Sequence, residues 1–404
     1  MHKIERLLQT LAPKGVEFRK LGEVCDFQKG KSITKKAVTL GKVPVISGGR
    51  QPAYYHNEAN RSGETIAISS SGVYAGYVSY WDIPVFLADS FSVSPKQKTL
   101  MPKYLFHYLT TQQDAIHATK STGGIPHVYS KDLQNFLIPI PPLEIQQEIV
   151  KILDAFTELN TELNTELKAR KKQYQYYQNM LLDFDNINSN HKDAKMSAKT
   201  YPKRLQTLLQ TLAPKGVEFR KLGEVCEILD NRRIPIAKNK RNPGIYPYYG
   251  ANGIQDYIDS YIFDGDFVLV GEDGSVINKD NTPVVNWASG KIWVNNHAHV
   301  LQTKNELKLK FLYFYLQTID VSYCVAGTPP KINQENLKKI TIPIPPLEIQ
   351  QEIVKILDQF SILTTDLLAG IPAEIEARKK QYEYYREKLL TFKPLTPHKE
   401  VKKC

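Results

Sequence analysis

The chain has 404 residues, 42% of them hydrophobic and 10% aromatic, which favours two or three domains with sizeable cores over a single one. Its 53 basic and 42 acidic residues give a formal net charge of +11, so we expect attraction to a polyanion, most commonly nucleic acid. No apolar run approaches the roughly 20 residues of a membrane helix, and the start, MHKIERLLQTLAPKG, lacks the apolar core of a signal peptide.

The cysteines, Cys25, Cys226, Cys324 and Cys404, form neither a CxxC pair nor a Cys/His cluster with zinc spacing. Cys25 and Cys226 are copies of one repeated position. We therefore predict no metal site, and reduced thiols packed as small apolar residues in a cytoplasmic protein.

The chain contains an internal repeat, in which several segments occur twice in the same order. LLQTLAPKGVEFRKLGEVC at 7–25 recurs letter for letter at 208–226. IPIPPLEIQQEIVKILD recurs at 138–154 and 342–358, and ARKKQY begins at Ala169 and again at Ala377. A period of about 200 residues is far longer than that of a solenoid, so each repeat is a whole domain with an added element.

The inserts between these frames, 26–137 and 227–341, are similar in length but hard to align. Runs such as TIAISSSGVYAGYVSYW and DFVLVGEDGSVIN are β-branched and aromatic, and glycine and aspartate break them, which indicates β-rich domains. KYLFHYL and LKFLYFYL predict an accompanying helix in each. Identical frames around different inserts favour one scaffold that carries two versions of one task.

A long amphipathic helix is predicted after Pro142, because apolar residues recur every three or four positions for some 40 residues without Pro or Gly. In the second copy, Gly370 and Pro372 should interrupt the helix. We predict that the helices pack as an antiparallel coiled coil; the alternative is that each covers its own domain. The predicted seam comprises Ile145, Ile149, Phe156, Leu159, Leu163, Leu167, Ile349, Ile353 and Phe360.

The predicted fold class is α+β, with two β-rich α/β domains joined by two long antiparallel helices and related by a pseudo-two-fold repeat. The polar segment after the first helix resembles a linker, and the lysine-rich end should be a frayed basic tail. The predicted boundaries are 1–141 (domain 1), 142–184 (helix 1), 185–203 (linker), 204–345 (domain 2), 346–392 (helix 2) and 393–404 (tail).

The sequence contains no phosphate loop, no dinucleotide fingerprint, no methyltransferase motif and no nucleophile elbow. The most enzyme-like pair is Glu272–Asp273, and its predicted counterpart in the first half is Ser70–Ser71. A catalytic carboxylate pair should not become serines in a sister domain that does the same chemistry. A base-reading loop can make this change, because carboxylates and hydroxyls suit different base edges; a turn that caps a strand is the alternative.

Basic and aromatic residues interleave at the same place in both inserts. Arg, Lys, Asn and Gln bond base edges or phosphates, although any single one of them could be a solvated surface charge. Gly-rich loops at 121–128 and 326–332 each contain a basic residue, His127 or Lys331, that could approach a phosphate; a plain turn is the alternative. The DNA-binding candidates are Lys31, Lys35, Lys36, Arg50, Gln51, Tyr54, Arg61, His127, Arg232, Arg233, Lys238, Lys240, Arg241, Tyr248, Asn252 and Lys331.

The frame segments APKGVEFRKLGEV, PIPPLEIQQEIVKILD and ARKKQYxYY, which occur twice in this order, resemble the specificity subunits of type I restriction-modification systems. The resemblance covers the whole chain. It implies a non-catalytic subunit in which each domain reads one half of a split double-stranded DNA site, while the helices fix the spacer between the halves. The second insert, with YPYYGANGIQDYI, also looks like one common class of recognition domain, from which the first insert departs.

The resemblance further implies two modification subunits that methylate adenine with S-adenosylmethionine, and two restriction subunits that use ATP and Mg²⁺ to translocate and cleave DNA. None of these cofactors should bind this chain, and no membrane is involved. An interaction scaffold with tandem RNA- or protein-binding modules on a coiled coil is the alternative. A self-sufficient nuclease or methyltransferase is a third possibility.

The repeat TELNTELNTELK at 157–168 is consistent with a spacing element. One four-residue unit lengthens a helix by about 6 Å and adds about 40° beyond a full turn. One DNA base pair corresponds to about 3.4 Å of rise and about 34° of twist. Since the rotation and the twist nearly match, one unit should shift the spacer by about one base pair, with tilt absorbing the length mismatch, and the stripe Leu159–Leu163–Leu167 keeps the seam intact through all copies. Sequence slippage in a solvated helix is the alternative.

Overall fold

The computed structural model describes residues 2–96, 98–121, 124–184, 201–274, 276–365 and 370–395. The chain divides into two compact units: unit 1 holds Met1–Asn164 and Glu374–Cys404, and unit 2 holds Thr165–Ala373. The end of the first long helix therefore belongs to unit 2, and the end of the last helix belongs to unit 1. Nearly all of the predicted linker and most of the predicted tail lie outside the described residues.

In unit 1 the two ends of the first domain meet, because β1 pairs antiparallel with β9. The strand order of the main sheet is β2-β8-β5-β6, and a smaller sheet has the order β4-β3-β7. The elements are α1 (His2–Leu11), β1 (Glu17–Lys20), α2 (Leu21–Val24), β2 (Cys25–Lys29), β3 (Leu40–Ile46), β4 (Tyr54–His56), β5 (Thr65–Ser69), β6 (Val78–Trp81), β7 (Phe86–Leu87), β8 (Ser90–Pro95), α3 (Pro102–Thr111), α4 (Gln113–Ala118), α5 (Ser130–Leu133), β9 (Leu137–Ile140) and α6 (Leu143–Leu182).

Unit 2 repeats this order. Its ends meet through β10 and β17, and within the described residues its main sheet runs β11-β16-β14-β15-β12-β13. The elements are α7 (Lys203–Leu212), β10 (Phe219–Lys221), α8 (Leu222–Val225), β11 (Cys226–Ile228), β12 (Pro243–Gly250), β13 (Gly253–Ile258), β14 (Phe263–Gly271), β15 (Val285–Val294), β16 (Ala298–Thr303), α9 (Leu309–Leu316), α10 (Gln334–Lys339), β17 (Thr341–Pro343), α11 (Leu347–Thr365) and α12 (Ile371–Leu390).

One strand distinguishes the sheets of the two units. In unit 2, β15 pairs antiparallel with β14 at one end and parallel with β12 at the other. In unit 1 the same path is divided into β6 and β7 by residues 82–85, which include Pro84. A proline has no N–H to donate to a ladder, so the strand breaks there and one sheet becomes two.

The cores confirm the predicted β-rich domains with an accompanying helix. In unit 1, Ile66 and Ile68 of β5 pack in one cluster with Tyr104 and Leu105 of α3. The equivalent cluster of unit 2 holds Val268 and Val270 of β14 with Phe311 and Leu312 of α9. Within the described residues, none of the helices is both long and apolar enough to cross a bilayer.

The long helices form as predicted, and the second is interrupted where glycine and proline stand. Helix α6 has 40 residues, whereas the second copy comprises α11, which ends at Thr365, and α12, which begins at Ile371. In unit 1 the ring of Phe156 lies 5.5 Å from that of Tyr385. In unit 2, Tyr177 of α6 stacks on Phe360 of α11 at 5.0 Å.

The seam residues serve more than a helix pair. Ile145 and Ile149 are fully buried in the core that also holds β5, α3 and the end of α12, and Ile349 and Ile353 are buried likewise in unit 2. The alternative that the helices cover their own domains is therefore correct for their first turns. Further along α6, Leu159, Leu163 and Leu167 are partly buried, while the Thr and Glu side chains between them are exposed.

Two smaller predictions are also resolved. The N–H of Val16 donates to the carbonyl oxygen of Lys393 at 2.8 Å, and the N–H of Leu395 donates to that of Val16 at 3.0 Å. The first residues of the predicted frayed tail are thus paired with the domain.

Burial raises the pKa of the Cys25 and Cys226 thiols to about 12. These thiols therefore stay protonated at neutral pH and pack as small apolar side chains. Cys404 lies outside the described residues.

Candidate nucleic-acid interface

Three loops of each insert meet at one end of its sheet. In unit 1 they are the hairpin loop 47–53, the turn 70–77 after β5, and the loop 124–129 before α5. The hydroxyl of Ser69 donates to the carbonyl oxygen of Ser47 at 3.0 Å, and Ser71 forms a β-bridge with His127, so the loops are contiguous. We call this surface, with the residues at the start of β8, the three-loop face of unit 1.

The three-loop face of unit 2 consists of residues 250–255, 272–274, 276–277 and 326–332, with residues 295–298 at the start of β16. The N–H of Asn295 donates to the carbonyl oxygen of Tyr249 at 3.0 Å, and its side-chain amide to Oε1 of Gln255 at 3.4 Å. Asp273 forms a β-bridge with Lys331. The β-bridge is the same as in unit 1, while different hydrogen bonds tie the hairpin loop to the face.

The backbone of the central turn is the same in both units. In unit 1 the N–H of Gly72 donates to Pro126 and that of Val128 to Ser70, both at 3.0 Å. In unit 2 the N–H of Gly274 donates to Pro330 at 3.0 Å and that of Ile332 to Glu272 at 2.9 Å. Gly72 and Gly274 both have left-handed φ, +85° and +80°, which favours glycine. The predicted equivalences, Ser70–Ser71 with Glu272–Asp273 and His127 with Lys331, are confirmed.

The side chains of the unit 1 face are cationic and aromatic around a small acceptor group. The guanidinium of Arg50 lies 5.0 Å from the ring centroid of Tyr74, and His127 stacks on Tyr129 at 5.9 Å. The ammonium group of Lys131 lies 5.5 Å from the centroid of the Tyr129 ring. The rings of Tyr74 and Tyr129 are 42% and 48% exposed. Rings and guanidinium groups in such positions can stack on bases and contact phosphates.

The acceptor group of unit 1 is an aspartate that the sequence did not reveal as a candidate. The carboxylate of Asp89 accepts hydrogen bonds from Ser70 Oγ, at 3.5 Å, and from Ser71 Oγ. Asp89 is exposed, and its carbonyl oxygen accepts from the N–H of Ser70. In unit 2 the carbonyl oxygen of His297 accepts from Glu272 in the same way. His297 is therefore the structural counterpart of Asp89.

The unit 2 face carries charged pairs where unit 1 has hydroxyls. Asp273 accepts a hydrogen bond from Nδ1 of His297. The Glu272 carboxylate pairs with Arg233 at 2.6 Å and with Lys331 at 3.0 Å. Glu272 and Arg233 are largely buried, whereas the side chains of Lys331 and His297 are 47% and 48% exposed. Exposed cationic and imidazole groups thus stand above a buried ion pair.

Asp230 extends this network beneath the face. Its carboxylate accepts from Nδ1 of the buried His299 at 2.6 Å and from the N–H of Val300 at 3.2 Å. Burial by itself raises the pKa of Asp230, but the His299 hydrogen bond and the charges of His299 and Arg233 outweigh it and hold this pKa below its ordinary value. The carboxylate is therefore ionised at neutral pH.

Asp230, Glu272 and His299 also lie close enough together to suggest a cation site. Both ring nitrogens of His299, however, face acceptors: Nδ1 faces Asp230 and Nε2 faces a backbone carbonyl at 2.8 Å. Both nitrogens are thus already engaged by groups of the domain. Arg233 and Lys331 already neutralise Glu272. The cluster is an ion-pair network, and a metal ion would have to displace its cations.

A turn rich in lysine precedes β3 in unit 1 and β12 in unit 2. In each unit it is a short 3-10 helix, Lys35–Ala37 and Lys238–Lys240. The N–H of Lys31 donates to Leu87, and that of Ile234 donates to Val294, so the segments that lead to these turns are equivalent too. The lysines that the structure leaves exposed there are Lys31, Lys35, Lys36, Lys238 and Lys240.

Among the other predicted contacts, Arg50, Gln51, Arg232 and Asn252 are exposed, while Tyr54 and His127 are partly buried. The rest need correction, because the domain itself uses them. Nε and both terminal nitrogens of Arg61 donate to Ser92 Oγ and to backbone carbonyls. Arg241 bonds Asp256 and lies 4.0 Å from the ring of Tyr248, which is 1% exposed. Arg61, Arg233, Arg241 and Tyr248 are therefore internal residues rather than base readers.

Comparison with known proteins gives the family. A profile of the type I restriction modification DNA specificity domain matches residues 13–172 and again 214–377. A protein of Haemophilus influenzae named as a type I restriction enzyme specificity subunit, S.HindORF215P, is 45% identical over 179 residues, 43% of this chain and 46% of that one. This chain thus spans about half of that relative. The specificity subunit of Escherichia coli EcoR124I/EcoR124II is 26% identical over 98% of both chains.

The MpnII specificity subunit of Mycoplasma pneumoniae is 30% identical over 66% of this chain and 92% of its own length. Among solved structures, the S subunit of a type I restriction-modification system from M. genitalium superposes with a TM-score of 0.65 at 18% identity, over 93% of this chain and 96% of that one. The likeness extends to the whole fold. With both of its halves matched by the family's domain, this chain belongs to the type I restriction-modification DNA specificity subunits.

Proposed function

We propose that this chain reads a bipartite, asymmetric DNA target, with each unit binding one half-site through its three-loop face. The single observation that carries the proposal is a shared backbone with different side chains: the turns at 70–72 and 272–274 make the same main-chain bonds, while their exposed groups differ. One scaffold thus presents two specificities. Lysines of the 3-10 turns supply sequence-independent attraction to phosphates.

The test is selection of duplexes from a random library by the purified full chain, alone and with its partner subunits. We expect one motif with two defined halves and an undefined spacer, bound with an affinity that falls steeply with added salt. Replacing residues 26–137 with the insert of another family member should change one half-site only. A chain that enriches no split motif, or that prefers RNA, would refute the proposal.

We propose further that catalysis belongs to partner subunits in the cytoplasm. Two modification subunits would dock on the helices with S-adenosylmethionine, and two restriction subunits would add ATP- and Mg²⁺-dependent cleavage. In support, the repeated ARKKQYxYY segments leave Tyr176 and Tyr384 63% and 59% exposed at equivalent places. Mapping methylated adenines in cells with and without the gene for this chain tests this; methylation that is independent of the chain would contradict it.

The TELN repeat is proposed to set the spacer. Deleting Thr157–Asn160 removes one four-residue unit and keeps the apolar spacing of Leu163 and Leu167. Because such a unit adds about 40° beyond a full turn and one base pair about 34° of twist, we expect the preferred spacer to shorten by about one base pair while both half-sites persist, with tilt absorbing the remaining length mismatch. Duplex selection with the deleted chain measures this directly, and an unchanged spacer would exclude the spacing role.

A further inference from the structure

Asp89 and His297 occupy one backbone position with opposite chemistry. Each directly precedes the strand that pairs with the strand before the central turn, β8 or β16, and each carbonyl oxygen accepts from the first residue of that turn, Ser70 or Glu272. Each side chain then bonds the second residue of that turn, Ser71 or Asp273. The two pairs, Ser71/Asp89 and Asp273/His297, are therefore interchangeable parts of one frame.

The pairs lie at the surface among groups that suit nucleic acid. Asp89 is exposed, and the side chain of His297 is 48% exposed. His127 of unit 1 and Lys331 of unit 2 occupy the equivalent bridge position beside the second turn residue. A carboxylate repels the phosphate backbone. It can contribute to DNA binding where it faces a base edge that donates hydrogen bonds to it. An exposed carboxylate here is thus poorly suited to holding DNA and well suited to discriminating between bases.

We propose that these two pairs are specificity-determining, each reading one base pair of its half-site; the inference rests on the proposed function. In unit 1 the Asp89 carboxylate, held by both serine hydroxyls, accepts from an exocyclic amino group and selects cytosine or adenine at that position. In unit 2 the carboxylate is turned to Nδ1 of His297, so the ring edge at Nε2 faces the DNA. With Nδ1–H donated to Asp273, Nε2 is a neutral acceptor that bonds an amino group more weakly than a carboxylate does, so unit 2 prefers cytosine or adenine less strongly at this position.

The decisive experiment exchanges the pairs. The double substitution D273S/H297D gives unit 2 the chemistry of unit 1, and S71D/D89H does the reverse. Each exchange loses one carboxylate and gains one, so the formal charge and the phosphate attraction are retained. Each also keeps a donor and an acceptor to bond one another within the pair, which isolates the exposed group as the variable.

For D273S/H297D, duplex selection should give a half-site for unit 2 that gains a preference for cytosine or adenine at one position, by about tenfold or more. The unit 1 half-site and the spacer should not change. Glu227→Gln, an exposed side chain on β11, is the control and should leave both half-sites as in the wild type. A folded exchange variant with the wild-type motif would overturn the inference and leave the proposed function intact.

If the exchange variants do not fold by circular dichroism, Asp89→Asn decides instead, because it keeps the size and one acceptor oxygen. Its predicted effect is a loss of about tenfold in discrimination at one base pair of the unit 1 half-site, with the melting temperature unchanged. Undiminished discrimination would overturn the inference. A wild-type chain that enriches no split motif would overturn both this inference and the proposed function.

Discussion

Gln146 in unit 1 and Gln350 in unit 2 stand at the start of the long helices and make the same bonds. Each buried side chain accepts from a backbone N–H, at 2.9 Å from Met101 and 2.7 Å from Lys308. Each also donates to two carbonyl oxygens, at distances between 2.7 and 2.9 Å. The three-loop faces, in contrast, keep their backbone bonds and change the side chains completely.

This contrast follows from what each place requires. A buried amide that satisfies three backbone groups has no substitute of the same shape, so any change leaves polar groups without partners. At the faces, the main chain satisfies itself through the two turns, and solvent completes the exposed side chains. The backbone can therefore stay constant while the exposed chemistry varies.

The largest expected effect is on stability, and it concerns a side chain beneath the unit 2 face that cannot vary as the exposed ones do. Arg233 lies beneath the unit 2 face with its side chain 11% exposed and neutralises Glu272 and Asp230. Arg233→Ala removes the cation that these two largely buried carboxylates share and leaves only Lys331 at Glu272 and His299 at Asp230, which should cost unit 2 up to about 3–5 kcal/mol. Hydrogen exchange of β14 measures the loss, and exchange of β5 in unit 1 should be unaffected.

Arg61 of unit 1 provides the matched comparison. Its guanidinium is also used internally, but its partners are neutral: the hydroxyl of Ser92 and the carbonyl oxygens of Gln28, Lys29 and Asn60. Arg61→Ala should destabilise unit 1 by only about 1–3 kcal/mol, because no charge is left uncompensated. Equal losses in the two variants would show that the ion pairs of unit 2 add nothing beyond ordinary hydrogen bonds.

The second expected effect should be the same in both units. Gln146→Ala and Gln350→Ala each remove three hydrogen bonds and leave buried backbone groups unpaired, so each should cost about 3 kcal/mol. Hydrogen exchange of α3 for the first and α9 for the second gives the values. Gln351→Ala, on the exposed neighbour, is the control and should change little. Losses that differ by more than about 1 kcal/mol would break the equivalence of the two frames.

The sequence predicted those parts of the molecule in which identical sequence segments make identical contacts. Repeats and periodicity predicted the frames, the two long helices and the interruption of the second helix near Gly370. They also predicted that the turn at 70–71 is equivalent to that at 272–273. The internal roles of Arg61 and Arg233 were not predicted, because most of their partners lie 31 to 65 residues away along the chain. Asp89 and His297 escaped notice because the inserts align only once their strands are known.

The third effect concerns binding and should be alike in both units. Lys35 and Lys36 of unit 1 and Lys238 and Lys240 of unit 2 occupy equivalent exposed turns. Replacing either pair with glutamine should weaken binding about tenfold for all sequences and lower the slope of log K against log salt by about two. The half-sites should not change, since phosphate contacts carry no sequence information.

Titration of duplex binding at several salt concentrations measures both quantities. Lys151→Gln with Lys355→Gln, which replaces the exposed lysine at the same repeated position of each long helix, is the control with equal charge change. If the control lowers the salt slope as much as the turn variants do, net charge rather than the turns accounts for the attraction. A changed motif in the turn variants would instead assign these lysines to base reading.

The smallest effect comes from a difference between the units where the helix of the insert contacts the frame. His107 of unit 1 is buried against Asp154, at 3.0 Å, where unit 2 has Phe314. Burial lowers the pKa of His107 below its ordinary 6.5, although Asp154 opposes this shift. The unfolded chain therefore binds the proton more tightly than the folded one. Unit 1 should lose stability as the pH falls below about 6.5, by at most about 1.4 kcal/mol per pH unit.

His107→Phe copies the residue of unit 2 and should flatten this decline, while Lys103 still pairs with Asp154 at 2.6 Å as Lys310 does with Asp358. Hydrogen exchange of β5 at pH 7 and pH 5.5, corrected for the intrinsic exchange rate, is the measurement. A steeper decline in the variant would mean that the His107–Asp154 contact favours the protonated ring in the folded state. The histidine would then strengthen unit 1 in acid, where the phenylalanine of unit 2 cannot.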